Sequence, residues 1–443
     1  MILSVTPAVS VTSKGSRRVQ ANLNYSLSAV ERFGDNNNDS NDLNHFLNAT
    51  GKAELAEDLF FVEGTAGISQ ALKSLLGAPG DSSLDTGNRT AVGTYSLSPY
   101  LTKRFGTFGT GILRYRRSGA LLESGVGSDI ESDSFEAGFN SGSQFNDLSW
   151  GLNYSLREAS TQGGTDTQFE RYSASLGYAL SRKLRLNGTV GYDENDYLNA
   201  TNTSGESWSV GATWAPSRRT TLDASFGERY FGDTYGFGFT HRSHFTQWNV
   251  RYSEDVSDIS QQLLNFTGVL FWDCNGSVIV TVDTLTPPQP GCTLLTGVGN
   301  INTSLAKGVY VIKSLNGGLS WSRGKIGASL TVYDTRRSYQ QLATDQEDHS
   351  RGITGSVSYR LDPHTSVTSS LGYTNNIVPP GPLESLLVER DDDTYTFSIG
   401  INRQFQPKVS GSLVYRHQQR ESSDAASADF SENSLTATVT MRF

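Results

Sequence analysis

The chain has 443 residues, of which 36% are apolar, with a mean hydropathy of −0.39 and a formal net charge of −9. This acidic balance argues against nucleic acid as a partner. The lack of any apolar run near the roughly 18 residues of a spanning helix excludes a helical membrane protein, and 19 tyrosines and 21 phenylalanines argue against disorder.

In chain order, Met1-Ile2-Leu3 has neither a charged leader nor a long apolar stretch, so the chain is expected to be a processed or truncated form. A first strand is expected over Ile2–Thr12. After it, Val19, Ala21, Leu23, Tyr25 and Leu27 alternate with Gln20, Asn22, Asn24 and Ser26. A period of two means a strand with one apolar and one polar side. The same alternation recurs about every twenty residues. It is clear at Leu148–Leu156, Leu184–Tyr192, Trp208–Trp214, Ile353–Leu361 and Tyr395–Ile401.

The connections alternate too. Short turns are expected at Ser13–Arg17, Thr102–Gly106, Leu180–Lys183, Pro216–Arg219, Leu361–His364 and Gln404–Lys408. Between them lie long polar loops at Gly34–Asn41, Leu72–Asn88, Ala120–Ser128, Asn195–Ser204, Asn375–Asp392 and Gln418–Ser431. Short inner turns and long outer loops belong to barrels of the bacterial outer membrane. The longest connection, an expected extracellular loop over about 254–307, holds Cys274 and Cys292. In an oxidising envelope these two, 18 apart (292 − 274), are expected to pair. The closed loop is worth about 3 kcal/mol in the chain-entropy model.

The last stretch, Ser431–Phe443, is the most regular. Leu435, Ala437, Val439, Met441 and Phe443 share one face, and Ser434, Thr436, Thr438, Thr440 and Arg442 share the other. Its ending resembles the C-terminal signal strand of outer-membrane barrels, with Val439, Met441 and Phe443 carrying the signal that the barrel insertion machinery reads. The fold class is therefore all-β, a single antiparallel transmembrane barrel over residues 1–443 with about 21 strands. With that parity the first and last strands run in the same direction. Because bacterial single-chain barrels have even strand numbers, the intact protein is expected to have about 22. Its surroundings would be outer-membrane lipid and lipopolysaccharide.

Val5-Thr6-Pro7-Ala8-Val9-Ser10-Val11-Thr12, the Lys14-Gly15 turn, Asn22-Leu23-Asn24-Tyr25 and Ala53–Phe61 together resemble the PEP-CTERM system-associated outer-membrane proteins. The resemblance implies a barrel tied to exopolysaccharide or surface-protein export, with an export-system partner. It brings no catalytic motif and no cofactor.

Among candidate sites, His241 and His244 could meet one metal at an inner turn, but no Cys or nearby Glu completes a shell of four. Asp35–Asp42 has the alternating oxygens of a calcium loop without its Gly and Glu. No Gly-x-Ser-x-Gly elbow is present. An enzyme is the last-ranked reading, behind a pore or export conduit and a non-conducting docking barrel. The polar faces carry Arg114, Arg157, Arg185, Arg229, Arg251, Arg360, Arg416 and Arg442, against Glu63, Glu136 and Asp223. Two readings stay open for these arginines. They pair across strands or anchor phosphates, or they form an anion-attracting wall suited to an acidic polysaccharide.

Overall fold

The computed structural model describes residues 2–13, 18–32, 41–72, 89–122, 129–161, 166–197, 203–258, 261, 268–274, 277–282, 293–299, 308–340, 346–380, 389–423 and 429–441. One long antiparallel sheet dominates it, with nearly every strand pairing with its neighbours in sequence. β1 (Ile2–Val5) and β2 (Ala8–Thr12) are two parts of one strand lying on β3 (Val19–Arg32). They divide at Thr6-Pro7 because proline has no N–H for the ladder. Its carbonyl still accepts from Leu27 N–H at 3.0 Å.

The wall continues through β4 (Asn41–Ala56), β5 (Phe60–Leu72), β6 (Arg89–Phe105), β7 (Gly109–Leu122) and β8 (Ile130–Ser141). Next come β9 (Leu148–Thr161), β10 (Thr167–Ser181), β11 (Leu184–Asp196) and β12 (Gly205–Ser217). β13 (Thr220–Arg229), β14 (Gly232–Arg242) and β15 (Thr246–Asp258) follow. β16 (Gly268–Cys274), β17 (Ser277–Val282) and β18 (Thr293–Gly299) then form a separate small sheet. β19 (Val309–Arg323) returns to pair with β15. β20 (Ile326–Tyr339), β21 (Glu347–Asp362), β22 (Thr365–Val378), β23 (Arg390–Gln406), β24 (Val409–Ser422) and β25 (Phe430–Met441) complete the wall.

With β1 and β2 taken as one, the wall has 21 strands, the number read from the alternation. Among the described residues, β25 pairs with β24 alone and β1/β2 with β3 alone. Where the inner turns are described they are as tight as expected, and the Ser13–Arg17 turn lies largely outside the described residues. Gly106 (φ 58°) and Gly324 (φ 62°) supply the left-handed conformation that L side chains avoid. The outer connection at Tyr230-Phe231 is equally tight.

Directly opposed residues of neighbouring strands share a face, so the register sorts the wall into two sides. Leu413 opposes Ala437, and Tyr415 opposes Leu435. These belong to the outward side, where Leu435, Val439 and Met441 are 68%, 66% and 60% exposed. Ser412 opposes Thr438, and Arg416 opposes Ser434, on the inward side. Apolar side chains that stay exposed on one side of a paired sheet are the mark of a lipid-facing wall, in which the ladder satisfies the backbone groups between paired strands.

Two features depart from a plain cylinder. The first is the outer end of the β15–β19 pair, which is buried on both sides. Val256, Val309 and Val311 pack with Tyr197, Phe169, Tyr230 and Phe231. On the other side, Tyr310 is 1% exposed and lies under the Arg337 guanidinium. β14 is short and pairs with β15 only up to Tyr252, so the ribbon beyond is free to bend across the mouth.

The second is the small sheet. It lies against β19, β20 and β21. The inward residues of those strands are buried well down the wall, with Ser320, Ser329, Thr331 and Ser358 among them. Their outward neighbours Leu330, Val357 and Tyr359 stay exposed. The small sheet therefore sits on the lumen side. The long connection expected outside is thus shorter than 254–307, because β15 runs to Asp258, and its described part lines the interior. Cys274 ends β16, whereas Cys292 and the expected pairing lie outside the described residues.

Candidate functional site

The lumen gathers most of the charged side chains that the wall buries. Sequence alternation aims the arginines inward, and the structure gives several of them carboxylate partners. Arg114 Nη1 donates to Glu63 Oε2 at 2.9 Å and lies over the Tyr100 ring. Lys52 Nζ reaches the same carboxylate at 3.2 Å, so Lys52 pairs with Glu63 and not with Glu54. Glu54 instead accepts from the Asp58 N–H in the turn.

At the outer end the pairs lengthen into a chain. Arg229 donates from Nε to Asp193 Oδ2 at 3.0 Å and from Nη1 to Asp255 Oδ1 at 2.7 Å, joining β11, β13 and β15. Arg171 approaches Asp193 from β10 at 3.6 Å. Arg157 on β9 donates to both oxygens of Asp258 at 2.9 and 2.8 Å, and stacks on Phe169. Outside the strands, burial pushes the Tyr197 and Tyr230 phenols up, and their hydroxyls are 3.1 Å apart.

Two further clusters were missed in the sequence. Arg337 grips Asp348 through Nε at 2.8 Å and Nη2 at 2.7 Å, and Tyr339 donates to the same carboxylate. Asp392 lies between Arg390 (2.9 Å) and Arg420 (3.2 Å), and Ser422 also donates to it. Asp392 ends the expected outer loop Asn375–Asp392, but β23 already begins at Arg390. The missed signal was phase, since Arg390, Asp392, Thr394 and Thr396 continue the inward parity of Ser398.

The remaining candidates are placed as follows. Arg185 donates to Ser149 Oγ at 2.9 Å, and Arg416 to Gln418 Oε1 at 2.7 Å. Arg251 and Arg360 also have partners. Val439 and Met441 lie on the lipid-facing side, while Arg442 and Phe443 are outside the described residues. His241 Nδ1 meets Thr220 Oγ1 at 2.8 Å, and His244 stacks edge-on against Phe245. Among the described residues no three His, Cys, Asp or Glu side chains gather as a metal group.

Arginine–carboxylate pairs this buried do two things. They hold strands and ribbon in one arrangement, and they cancel local charge, since an unpaired buried ion is far more costly than a paired one. The outer half of the lumen is therefore cross-braced and largely neutralised.

No family model and no curated protein matches this chain. Solved structures do resemble it. The FrpB iron transporter from Neisseria meningitidis (F5-1 variant) superposes with a TM-score of 0.54 at 13% identity, over 99% of this chain and 80% of that one. Its F3-3 variant gives 0.55 at 12% identity, over 99% and 79%. The siderophore receptor PirA from Acinetobacter baumannii gives 0.51 at 11%, over 99% and 80%. At such identities the likeness shows the fold, that of an outer-membrane β-barrel.

Proposed function

We propose that the protein is a conduit in the outer membrane of a Gram-negative envelope, restricted from within by its own β16–β18 sheet. The observation that carries this reading is the contrast between faces: an exposed apolar outer side and a charged, polar inner side along the same strands. Such a wall belongs in lipid around a wet interior. The resemblance of the first strands to PEP-CTERM system-associated proteins supports the finer reading, a role in exopolysaccharide or surface-protein export. The Cys274–Cys292 bridge belongs to the same proposal, as a staple on the connection that carries the small sheet.

The test is permeability. Liposomes holding the full chain should admit small sugars faster than empty liposomes, and a deletion strain should lose surface polysaccharide. Tight liposomes would contradict the conduit. Normal surface polysaccharide would contradict the export role.

A second reading, a docking barrel that does not conduct, is favoured by one observation. The outer ends of β15 and β19 cross the mouth and are buried on both sides.

A further inference from the structure

Charge is unevenly spread around the inner rim. From the β10/β11 turn to the β23/β24 turn, successive inner turns present exposed cations: Arg182 and Lys183, Arg218 and Arg219, Arg242, then Lys325 and Lys408. None of these makes an ion pair among the described residues. The carboxylate of these turns, Asp362, accepts the His364 N–H at 2.7 Å.

Among the described residues the opposite part of the rim is balanced. There Glu54, Glu57, Asp58 and Asp147 face Arg18, Lys103 and Arg104, and Arg18 pairs with Glu57 at 3.7 Å. The inner lumen is more mixed. Lys52 and Arg114 are matched by Glu63 on the balanced side, and above the basic turns Arg185 donates to Ser149 while Asp223 stands two strands away in the same inward row.

We propose that this basic arc is the docking surface for an acidic polysaccharide entering from the periplasmic side; the proposal rests on the conduit reading. Clustered exposed cations attract a flexible polyanion through many weak contacts, and the attraction weakens with salt. The arc continues onto inward positions. Arg185 shares the inner face of its strand, and Arg242 opposes Gln247, which opposes the inward Ser320. A phospholipid headgroup at the outer circumference would not reach these, and a folded protein would not enter beside them. An extended carboxylated chain fits both the turns and the lumen. Farther out, the described arginines are largely held by carboxylates, so among the described residues the attraction is strongest at the inner end.

The test uses the full chain in detergent micelles, titrated with polygalacturonate oligomers at low and high salt, with neutral dextran as control. The arc variant carries Arg182→Gln, Arg218→Gln and Arg219→Gln. The control variant carries Arg18→Gln, Lys103→Gln and Arg104→Gln. All six positions are exposed, so both variants should fold, and heat-modifiable migration on a gel verifies it. The arc variant should bind polygalacturonate about tenfold more weakly or worse, and the control variant nearly as the parent does. Equal loss in both variants, or no binding by the parent, overturns the proposal. So does an arc variant that loses affinity only for phosphatidylglycerol vesicles, which would make the arc a lipid anchor. Because binding is read without current, a protein that binds but does not conduct would sink the conduit and leave the arc standing.

Discussion

Arg157 on β9 and Asp258 at the end of β15 are 2.8 Å apart, although five strands of wall, β10 to β14, separate theirs. A wall-to-wall contact cannot span that arc. The pair exists because the outer end of the β15–β19 ribbon leaves the cylinder and crosses the mouth. Removing one partner of a buried pair leaves an uncompensated charge, at a cost of about 3–5 kcal/mol. Asp258→Ala is therefore expected to release the ribbon. Hydrogen exchange at 255–258 and 309–311 should accelerate while β22 to β24 stay protected. Uniform acceleration across the wall would contradict a local brace.

Asp392 holds two arginines at once, and its neutralisation should be more costly than that of an exposed carboxylate. Asp392→Asn is expected to destabilise the folded barrel by about 3–5 kcal/mol, because Arg390 and Arg420 are then left facing each other. Asp391→Asn, one residue away on the opposite face and exposed, should cost little. Urea titration of the protein folded into vesicles measures both. Similar midpoints would show that the buried cluster is not a brace.

The two faces make a sharper contrast. Leu413→Arg, on the lipid side, is expected to cost about 2–4 kcal/mol if it lies near the midplane. Ser412→Arg, facing the lumen, should be nearly neutral. Folding yields into lipid vesicles decide the matter, and equal penalties would contradict the register of β24 with β25.

The staple is tested chemically. Peptide mapping of envelope-derived protein without reductant is expected to recover Cys274 linked to Cys292. Recovery of both as alkylatable thiols would rule the bridge out.

Much of the wall was legible because a half-buried strand writes its period into the sequence. Leu435, Ala437, Val439 and Met441 set the face of β25, and the alternation of short with long connections set the inner turns. The outer ends were not legible in the same way. There both faces are polar, so the change from Ser398 and Thr396 to Asp392 and Arg390 reads as a loop although the ladder continues. The small sheet escaped for the opposite reason. Val278-Ile279-Val280 is apolar at successive positions, and such a run carries no period to show which way it faces. Partners across the lumen, such as Arg157 and Asp258, are set by the bend of a ribbon that no local pattern encodes.

The conduit and its internal restriction are tested together by single-channel recording in planar bilayers. The measurement compares the parent with a variant in which 268–299, the span of the small sheet, is replaced by a short Gly-Ser linker. The account expects small current steps from the parent and markedly larger ones from the variant, with both proteins folded by gel mobility. Identical conductance in the two would contradict an occluding sheet, and silence in both would contradict the conduit itself.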